Sequence, residues 1–291
     1  MPALKLSMRL PIEFSKMHGS GNDFVVIDNR ASVIAETDLG EFSMLVTRRA
    51  TSIGADGVVL IEDPVEPSTA FRWRYFNADG SEGEMCGNGA MCGARFANLI
   101  GVTDPEMAFS TMSGIVRARV NCDTGTVELA MPDTGPVERP RRVELDGKFY
   151  ELIPIQVGVP HCVLYVNDVD AFGSRAELER IGAAIRHSDA FKPAGTNVNV
   201  VSPLGENRLR MRTYERGVEA ETLACGTGAV ASAVVSAARG MVKSPVEIIV
   251  SSGMPLVASF DLGENGARTV ALCGQTRIVM SGEIRPDALM R

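Results

Sequence analysis

The sequence has no excess of positive charge and no long hydrophobic run. Its 29 Lys and Arg are outnumbered by 36 Asp and Glu, for a formal net charge of −7, so a basic footprint for nucleic acid is missing. The longest apolar stretch, residues 228–238, is far shorter than the roughly 20 residues of a membrane-spanning helix. The segment MPALKLSMRLP lacks the apolar core of a signal peptide. We therefore expect a cytoplasmic protein with a small-molecule partner and neither nucleic-acid nor membrane partners.

Cysteine is scarce as well, with six in 291 residues. Without a secretion signal, so sparse a set favours reduced thiols over a disulfide framework. The spacing does not suit zinc, because Cys86 and Cys92 are six positions apart and His161 and Cys162 are adjacent with no second pair nearby. We expect no metal site.

The sequence does contain an internal repeat. The motif Cys-Gly-x-Gly-Ala starts at Cys86 and again at Cys225, 139 positions later, and each cysteine is followed 27 residues on by Ser-Gly and a strand-like segment. Upstream, RWRYFN ending at Asn77 is matched by RMRTYE ending at Glu215, at an offset of 138. An offset this constant indicates two copies of one unit.

Each copy contains several strands, one apolar helix after the cysteine, and more strands. The predicted fold class is α/β (α+β), with two pseudo-symmetric halves, each a strand-rich sheet wrapped around a central buried helix, and an active-site cleft between them. Three prolines within residues 131–142 mark the join. We assign residues 1–132 to the first half and residues 133–274 to the second.

Both central helices are predicted to begin at the repeated cysteine and to end before a glycine, Gly101 or Gly240. A cysteine just before a helix lies beside unpaired backbone N–H groups and the positive end of the dipole, which favour its thiolate. If the halves pack about a pseudo-twofold axis, both thiols reach one carbon. One cysteine, as a thiolate, then removes a proton from one face, and the other, as a thiol, delivers a proton to the opposite face, which inverts the stereocentre.

A single motif of this kind would be better interpreted as an inert buried cysteine. Duplication at matching positions reverses that interpretation for Cys86 and Cys225. The remaining cysteines have no counterpart in the other copy, and we predict no chemical role for them: Cys92, Cys122, Cys162 and Cys273.

Further segments carry a family signature. In chain order they are MHGSGNDFVVID (17–28), GADG (54–57), FNADGSEGEMCGNGAMC (76–92), GVPHCV (158–163), GTNVN (195–199) and ERGVEAETLACGTGA (215–229). Together they span nearly the whole chain, and the sequence resembles the diaminopimelate epimerase family. The resemblance implies a cofactor-independent isomerase that interconverts LL- and meso-2,6-diaminopimelate in lysine and peptidoglycan biosynthesis.

The resemblance also implies roles for individual residues. Cys86 and Cys225 would be the acid/base pair, with His161 and Glu215 as polar partners near the thiols. The substrate would be bound by three groups of residues: Gly87, Asn88, Gly226 and Thr227 at the α-carboxylate; Asn22, Asn77, Asn197 and Arg216 at the distal ammonium and carboxylate; and Glu215. A last strand, about 275–291, would return to the first half, and a homodimer is left open as the assembly.

On residue type alone, several of these positions have simpler interpretations. Asn22 and Asn77 are typical of turns, and Arg216 beside Glu215 could form an exposed ion pair of little consequence. His161 could be a core residue with its hydrogen bonds satisfied.

Two departures from the family pattern affect substrate choice. Val159 stands where the family usually has Asn, and the segment from Glu215 to Cys225 is one residue longer than usual. One alternative function is therefore a racemase that uses the same two cysteines on another amino acid. Another is a binding protein without turnover, although retention of both cysteines argues against it.

Overall fold

The computed structural model describes Met8 and residues 10–290, and the chain divides into two compact units. The first contains the residues up to Leu129 together with those from Gly274 onward, and the second runs from Ala130 to Cys273. No helix in the described residues is long and apolar enough to cross a membrane.

The first unit is strand-rich with two α-helices among its described elements. In chain order these are β1 (Ile12–Gly19), β2 (Asn22–Asp28), α1 (Leu39–Val46), β3 (Gly57–Glu62), β4 (Phe71–Asn77), β5 (Glu82–Gly83), α2 (Gly87–Leu99), β6 (Glu106–Thr111), β7 (Gly114–Asn121) and β8 (Thr126–Ala130).

The second unit repeats this order after one additional strand. Its elements are β9 (Arg141–Leu145), β10 (Lys148–Val157), β11 (Val159–Tyr165), α3 (Arg175–His187), β12 (Asn197–Gly205), β13 (Arg208–Glu215), β14 (Ala220–Thr222), α4 (Gly226–Ala238), β15 (Val246–Ile249), β16 (Pro255–Gly263) and β17 (Gly266–Ile284). The last part of β17, residues 276–284, pairs antiparallel with β1 in the first unit.

Strand pairing is repeated along with element order. β2 runs parallel to β3 and β4 runs parallel to β6, while in the second unit β11 is parallel to β12 and β13 is parallel to β15. The mixed α/β fold with two similar halves is as predicted. An antiparallel hairpin connects β3 to β4 through residues 63–70.

Strand alternation places the two helices of each unit on opposite faces of its sheet. Val25 and Ile27 pack in one core with Phe42 of α1, whereas Phe24 on the other face lies against Gly89 of α2. In the second unit, β12 residue Val198 packs with the side chains of α3. The intervening positions of β12, and of its neighbour β11, therefore face α4.

The two central helices are buried and end as the sequence predicts. α2 and α4 are each 13 residues long and contact strands of their own unit along much of their length. Gly101 and Gly240 follow the C-cap residues and have positive φ values of 74° and 72°, a conformation that glycine adopts without a steric penalty.

Candidate active site

Each cysteine of the repeated motif is the N-cap residue of the central helix in its unit. Cys86 has φ −142° and ψ 113°, and Cys225 has φ −127° and ψ 109°. The Cys86 and Cys225 carbonyl oxygens accept the first helical hydrogen bonds, from Ala90 at 2.7 Å and Ala229 at 2.9 Å. The N–H groups of the intervening first-turn residues have no partner within the helix. Both cysteines therefore stand at the positive end of a helix, although neither side chain makes an N-cap hydrogen bond.

The glycines of the motif serve different purposes. A Cβ atom at Gly87 would meet no heavy atom of the described chain within 4 Å, so a bound molecule can approach this backbone closely. At Gly228 a Cβ would lie 2.3 Å from Asn199 Oδ1 and 3.2 Å from Cys225 Sγ. Gly228 is therefore required by packing, whereas Gly87 leaves space open.

In the first unit the structure brings Asn22 to Cys86. The Cys86 Sγ to Asn22 Oδ1 distance is 3.7 Å, and Asn22 Nδ2 donates to Asp56 at 2.6 Å. Arg49 joins Asp56 to Asp23 with hydrogen bonds of 2.8 Å to each. This network orients the Asn22 amide so that its oxygen faces the thiol.

The other predicted asparagines of the first unit have different surroundings. Asn77 ends β4, and its Nδ2 donates to Ser81 Oγ at 3.0 Å, so it closes the turn that follows the strand. Asn88 lies in the first turn of α2 and is buried, and within the described residues its Oδ1 has no hydrogen-bond partner. A buried acceptor left in this state costs about 1–3 kcal/mol.

In the second unit His161, Asn197 and Arg216 are close neighbours. His161 on β11 and Asn197 on β12 are paired in register. Asn197 donates to Pro160 O at 3.0 Å and accepts from the backbone N–H of Arg216 at 2.8 Å, while Arg216 Nη1 donates to Ala194 O at 3.0 Å. Burial, together with the charge of Arg216, lowers the pKa of His161 to about 3.

Glu215 ends β13, and Cys225 and Thr227 stand at the start of α4. Burial raises the pKa of the Glu215 carboxyl above its usual value. The Cys225 Sγ to Thr227 Oγ1 distance is 3.6 Å. Thr227 therefore lies directly beside the thiol.

The sequence interpretation missed a repeated Arg–Glu pair. Arg74 donates to both carboxylate oxygens of Glu82, at 2.7 and 2.9 Å. Arg212 does the same to Glu221, at 2.8 Å for both bonds. Each glutamate lies four positions before a motif cysteine, so each pair anchors the short strand that leads into it. The repeat offset contained this signal, because both members recur at 138 or 139 positions.

The two departures from the family pattern, Val159 and the longer segment from Glu215 to Cys225, lie in different parts of the second unit. Val159 is the first residue of β11 and is 36% exposed. In the longer segment Glu219 has a positive φ of 60°, and its carboxylate pairs with Arg186 of α3 at 2.7 Å and accepts from the Tyr214 hydroxyl at 2.8 Å. The longer segment is therefore tied to α3 through Glu219.

Solved structures with little sequence similarity share this fold. A probable proline racemase from Agrobacterium radiobacter K84 matches with a TM-score of 0.68 and 16% identity, covering 94% of this chain and 93% of that one. A Bacillus anthracis phenazine biosynthesis protein of the PhzF family gives a TM-score of 0.70 at 12% identity, covering 95% and 100%. The fold is thus one shared by racemases and PhzF-type proteins.

Within that fold class, the chain belongs to the diaminopimelate epimerase family. The family's sequence model matches residues 14–139 and 154–280. The diaminopimelate epimerase of Aquifex aeolicus is 41% identical over 286 residues, covering 96% of this chain and 99% of that protein. That of Methanocella arvoryzae is 37% identical over 272 residues, covering 89% and 95%. The chain is accordingly an isomerase of the epimerase type, as predicted.

Proposed function

We propose that this epimerase interconverts LL- and meso-2,6-diaminopimelate in lysine biosynthesis, with Cys86 and Cys225 acting on opposite faces of one α carbon. The observation that carries the proposal is the placement of both cysteines as N-caps of equivalent helices in a duplicated unit. Duplication supplies two similar proton carriers, one for each face of the carbon.

In the proposed reaction one cysteine is a thiolate and the other a thiol. The thiolate takes the α proton, the electron pair stays on the α carbon and its carboxylate, and the thiol delivers its proton to the opposite face. The thiolate and thiol have then exchanged places, ready for the reverse reaction. Backbone N–H groups of Gly87, Asn88, Gly226 and Thr227 would bind the α-carboxylate and stabilise the charge that develops on it.

The remaining predicted residues suit a polar substrate. The Asn88 oxygen, which has no hydrogen-bond partner among the described residues, is an acceptor for an amino group. Burial raises the pKa of Glu215, which favours its protonated, hydrogen-bond-donating form. We assign the distal ammonium and carboxylate to Asn22, Asn77, Asn197 and Arg216, of which Arg216 carries the charge opposite to a carboxylate.

We further propose a cytoplasmic location, where the thiols stay reduced, and a correspondence between the two compact units and the two copies of the repeat. A homodimer is supported by three exposed apolar side chains on β17: Ile278, Val279 and Met280. Sedimentation of the wild type and of Val279→Lys would test it, with a monomeric wild type as the contradicting result.

The substrate is tested by incubating the enzyme with a panel of single-stereoisomer amino acids and separating the products by chiral chromatography. We expect conversion of LL- to meso-diaminopimelate and back, with no turnover by Cys86→Ala or Cys225→Ala. Turnover of a different amino acid alone would favour the alternative racemase, and ligand binding without turnover would favour a binding protein.

A further inference from the structure

Asn199 is a fully buried amide whose orientation is fixed by its neighbours. Its Nδ2 lies 3.1 Å from the Cys162 carbonyl oxygen, and its Oδ1 accepts from the Thr213 hydroxyl at 3.0 Å. A carbonyl oxygen can only accept, so the amide atom facing Cys162 must be the nitrogen. The reversed amide would set two oxygens against each other.

The same NH2 group determines the protonation of His161. Asn199 Nδ2 is 3.2 Å from His161 Nδ1. Because the amide nitrogen is a donor, Nδ1 must be the acceptor, and a neutral imidazole then carries its hydrogen on Nε2. His161 Nε2 is buried, and no group in the described part of the chain accepts a hydrogen bond from it.

The charges around this imidazole also favour its neutral form. Arg216 is the charged group acting on His161, and its positive charge disfavours an imidazolium. The adjacent Cys162 thiol stays neutral, because burial raises its pKa to about 12. Asn199 also lies against the start of α4. A Cβ atom placed at Gly228 would be 2.3 Å from Asn199 Oδ1 and 3.2 Å from Cys225 Sγ, so the Asn199 amide and the Cys225 thiol both border this glycine.

We propose that Asn199 is a positioning residue that fixes His161 as a neutral Nε2–H donor, and that this N–H is held for an anionic acceptor supplied during turnover. The acceptor is a carboxylate of the bound amino acid or a cysteine thiolate. The existence of this acceptor rests on the proposed function, whereas the tautomer of His161 does not. His161 then contributes a hydrogen bond and does not carry protons at neutral pH. A buried N–H without an acceptor is costly, and its hydrogen bond to an anion is favourable.

The tautomer can be read directly by NMR. The chain has three histidines, so long-range 1H–15N spectra of 15N-histidine-labelled protein are simple to assign with His161→Gln. We expect the Nε2–H pattern for His161, unchanged from pH 8 to pH 5. A hydrogen on Nδ1, or on both nitrogens, in the wild type would overturn the proposal, and this measurement needs no variant at Asn199.

Two variants separate positioning from packing. Asn199→Asp replaces the donor by an acceptor, so His161 should gain Nδ1–H and titrate at higher pH. Thr213→Val is the matched control, because it removes one hydrogen bond of Asn199 but leaves the donor to His161. It should keep the wild-type tautomer. An Asn199→Asp protein that retains the wild-type spectrum and titration would overturn the proposal.

Kinetics provide the functional test. Asn199→Asp should lower kcat/KM for diaminopimelate by about 10- to 100-fold, the range expected for one hydrogen bond to a charged group, and should add an ionisation to the pH profile. Adding diaminopimelate at pH 7 should shift the Nε2–H resonance if the acceptor is substrate, whereas raising the pH without substrate should shift it if the acceptor is a thiolate. If the resonance responds to neither change, the proposal that the His161 Nε2–H is held for an anionic acceptor is refuted. An inactive wild type with the expected tautomer would instead refute the proposed function.

Discussion

Replacing Glu221 by Gln should destabilise the protein far more than replacing Glu82 by Gln. The two carboxylates make the same bidentate hydrogen bonds, Glu221 with Arg212 and Glu82 with Arg74. They differ in what each arginine retains once the charge is removed, and this difference sets the size of the effect.

The Arg212 and Glu221 side chains are each 10% exposed, and without the carboxylate Arg212 keeps a hydrogen bond to the neutral Gly173 carbonyl. Removing one partner of a buried ion pair costs about 3–5 kcal/mol, and the other carboxylate that acts on Arg212, Asp170, does so through its charge alone. Arg74 by contrast keeps ion pairs with other carboxylates, among them Glu36 at 2.5 Å. The loss there should be nearer to about 1 kcal/mol, the net value of a hydrogen bond.

Urea unfolding followed by circular dichroism measures both losses. The control is the double variant Arg212→Met, Glu221→Leu, which removes both charges and should recover most of the stability that Glu221→Gln loses. Equal losses in Glu221→Gln and Glu82→Gln, or a double variant no more stable than the single one, would refute the reasoning.

Three further predictions follow from individual residues. The folded-state pKa of His161, about 3, lies below its unfolded value of 6.5, so its contribution to stability is complete above pH 6.5 and is lost as the pH falls. Between pH 6.5 and about pH 5, urea unfolding should show wild type losing about 1.5 kcal/mol relative to His161→Gln; parallel pH curves would contradict this. Gly228→Ala should lower the free energy of unfolding by about 1–3 kcal/mol through the clash with Asn199. Gly87→Ala should instead keep the wild-type stability and lose activity. A destabilised Gly87→Ala and a stable Gly228→Ala would contradict the site description. Val159→Asn should change the KM for diaminopimelate by roughly two- to tenfold, and complete loss of turnover would mean that Val159 is needed for packing.

The sequence was sufficient for features that depend on neighbours in the chain. A cysteine followed by Gly-x-Gly and a mostly apolar or small segment predicted an N-cap and a buried helix, and Gly101 and Gly240 predicted where the helices end. The constant offset predicted that both units would have the same element order. Local periodicity and chain position contain this information.

Contacts between distant residues were not predictable in the same way. Asn22 and Cys86 are 64 positions apart, and Asn199 and His161 are 38 apart, so their contact depends on which strands pair and in which register. Strand alternation did place Asn199 on the same face as Asn197, two residues earlier. The parallel pairing of β11 with β12, which brings His161 to the face of β12 that carries Asn197 and Asn199, could not be predicted from either strand's sequence alone.

The central claim, that two thiols act on opposite faces of one carbon, is tested most directly by hydrogen exchange in D2O. Thiols exchange with solvent, so the donating cysteine carries deuterium while the accepting one receives protium from the substrate. Starting from one stereoisomer at low conversion, mass spectrometry of the separated isomers should find one deuterium at the inverted carbon of the product and none in the remaining substrate. A single base serving both faces could return the abstracted hydrogen, and a mostly unlabelled product would contradict the two-cysteine account.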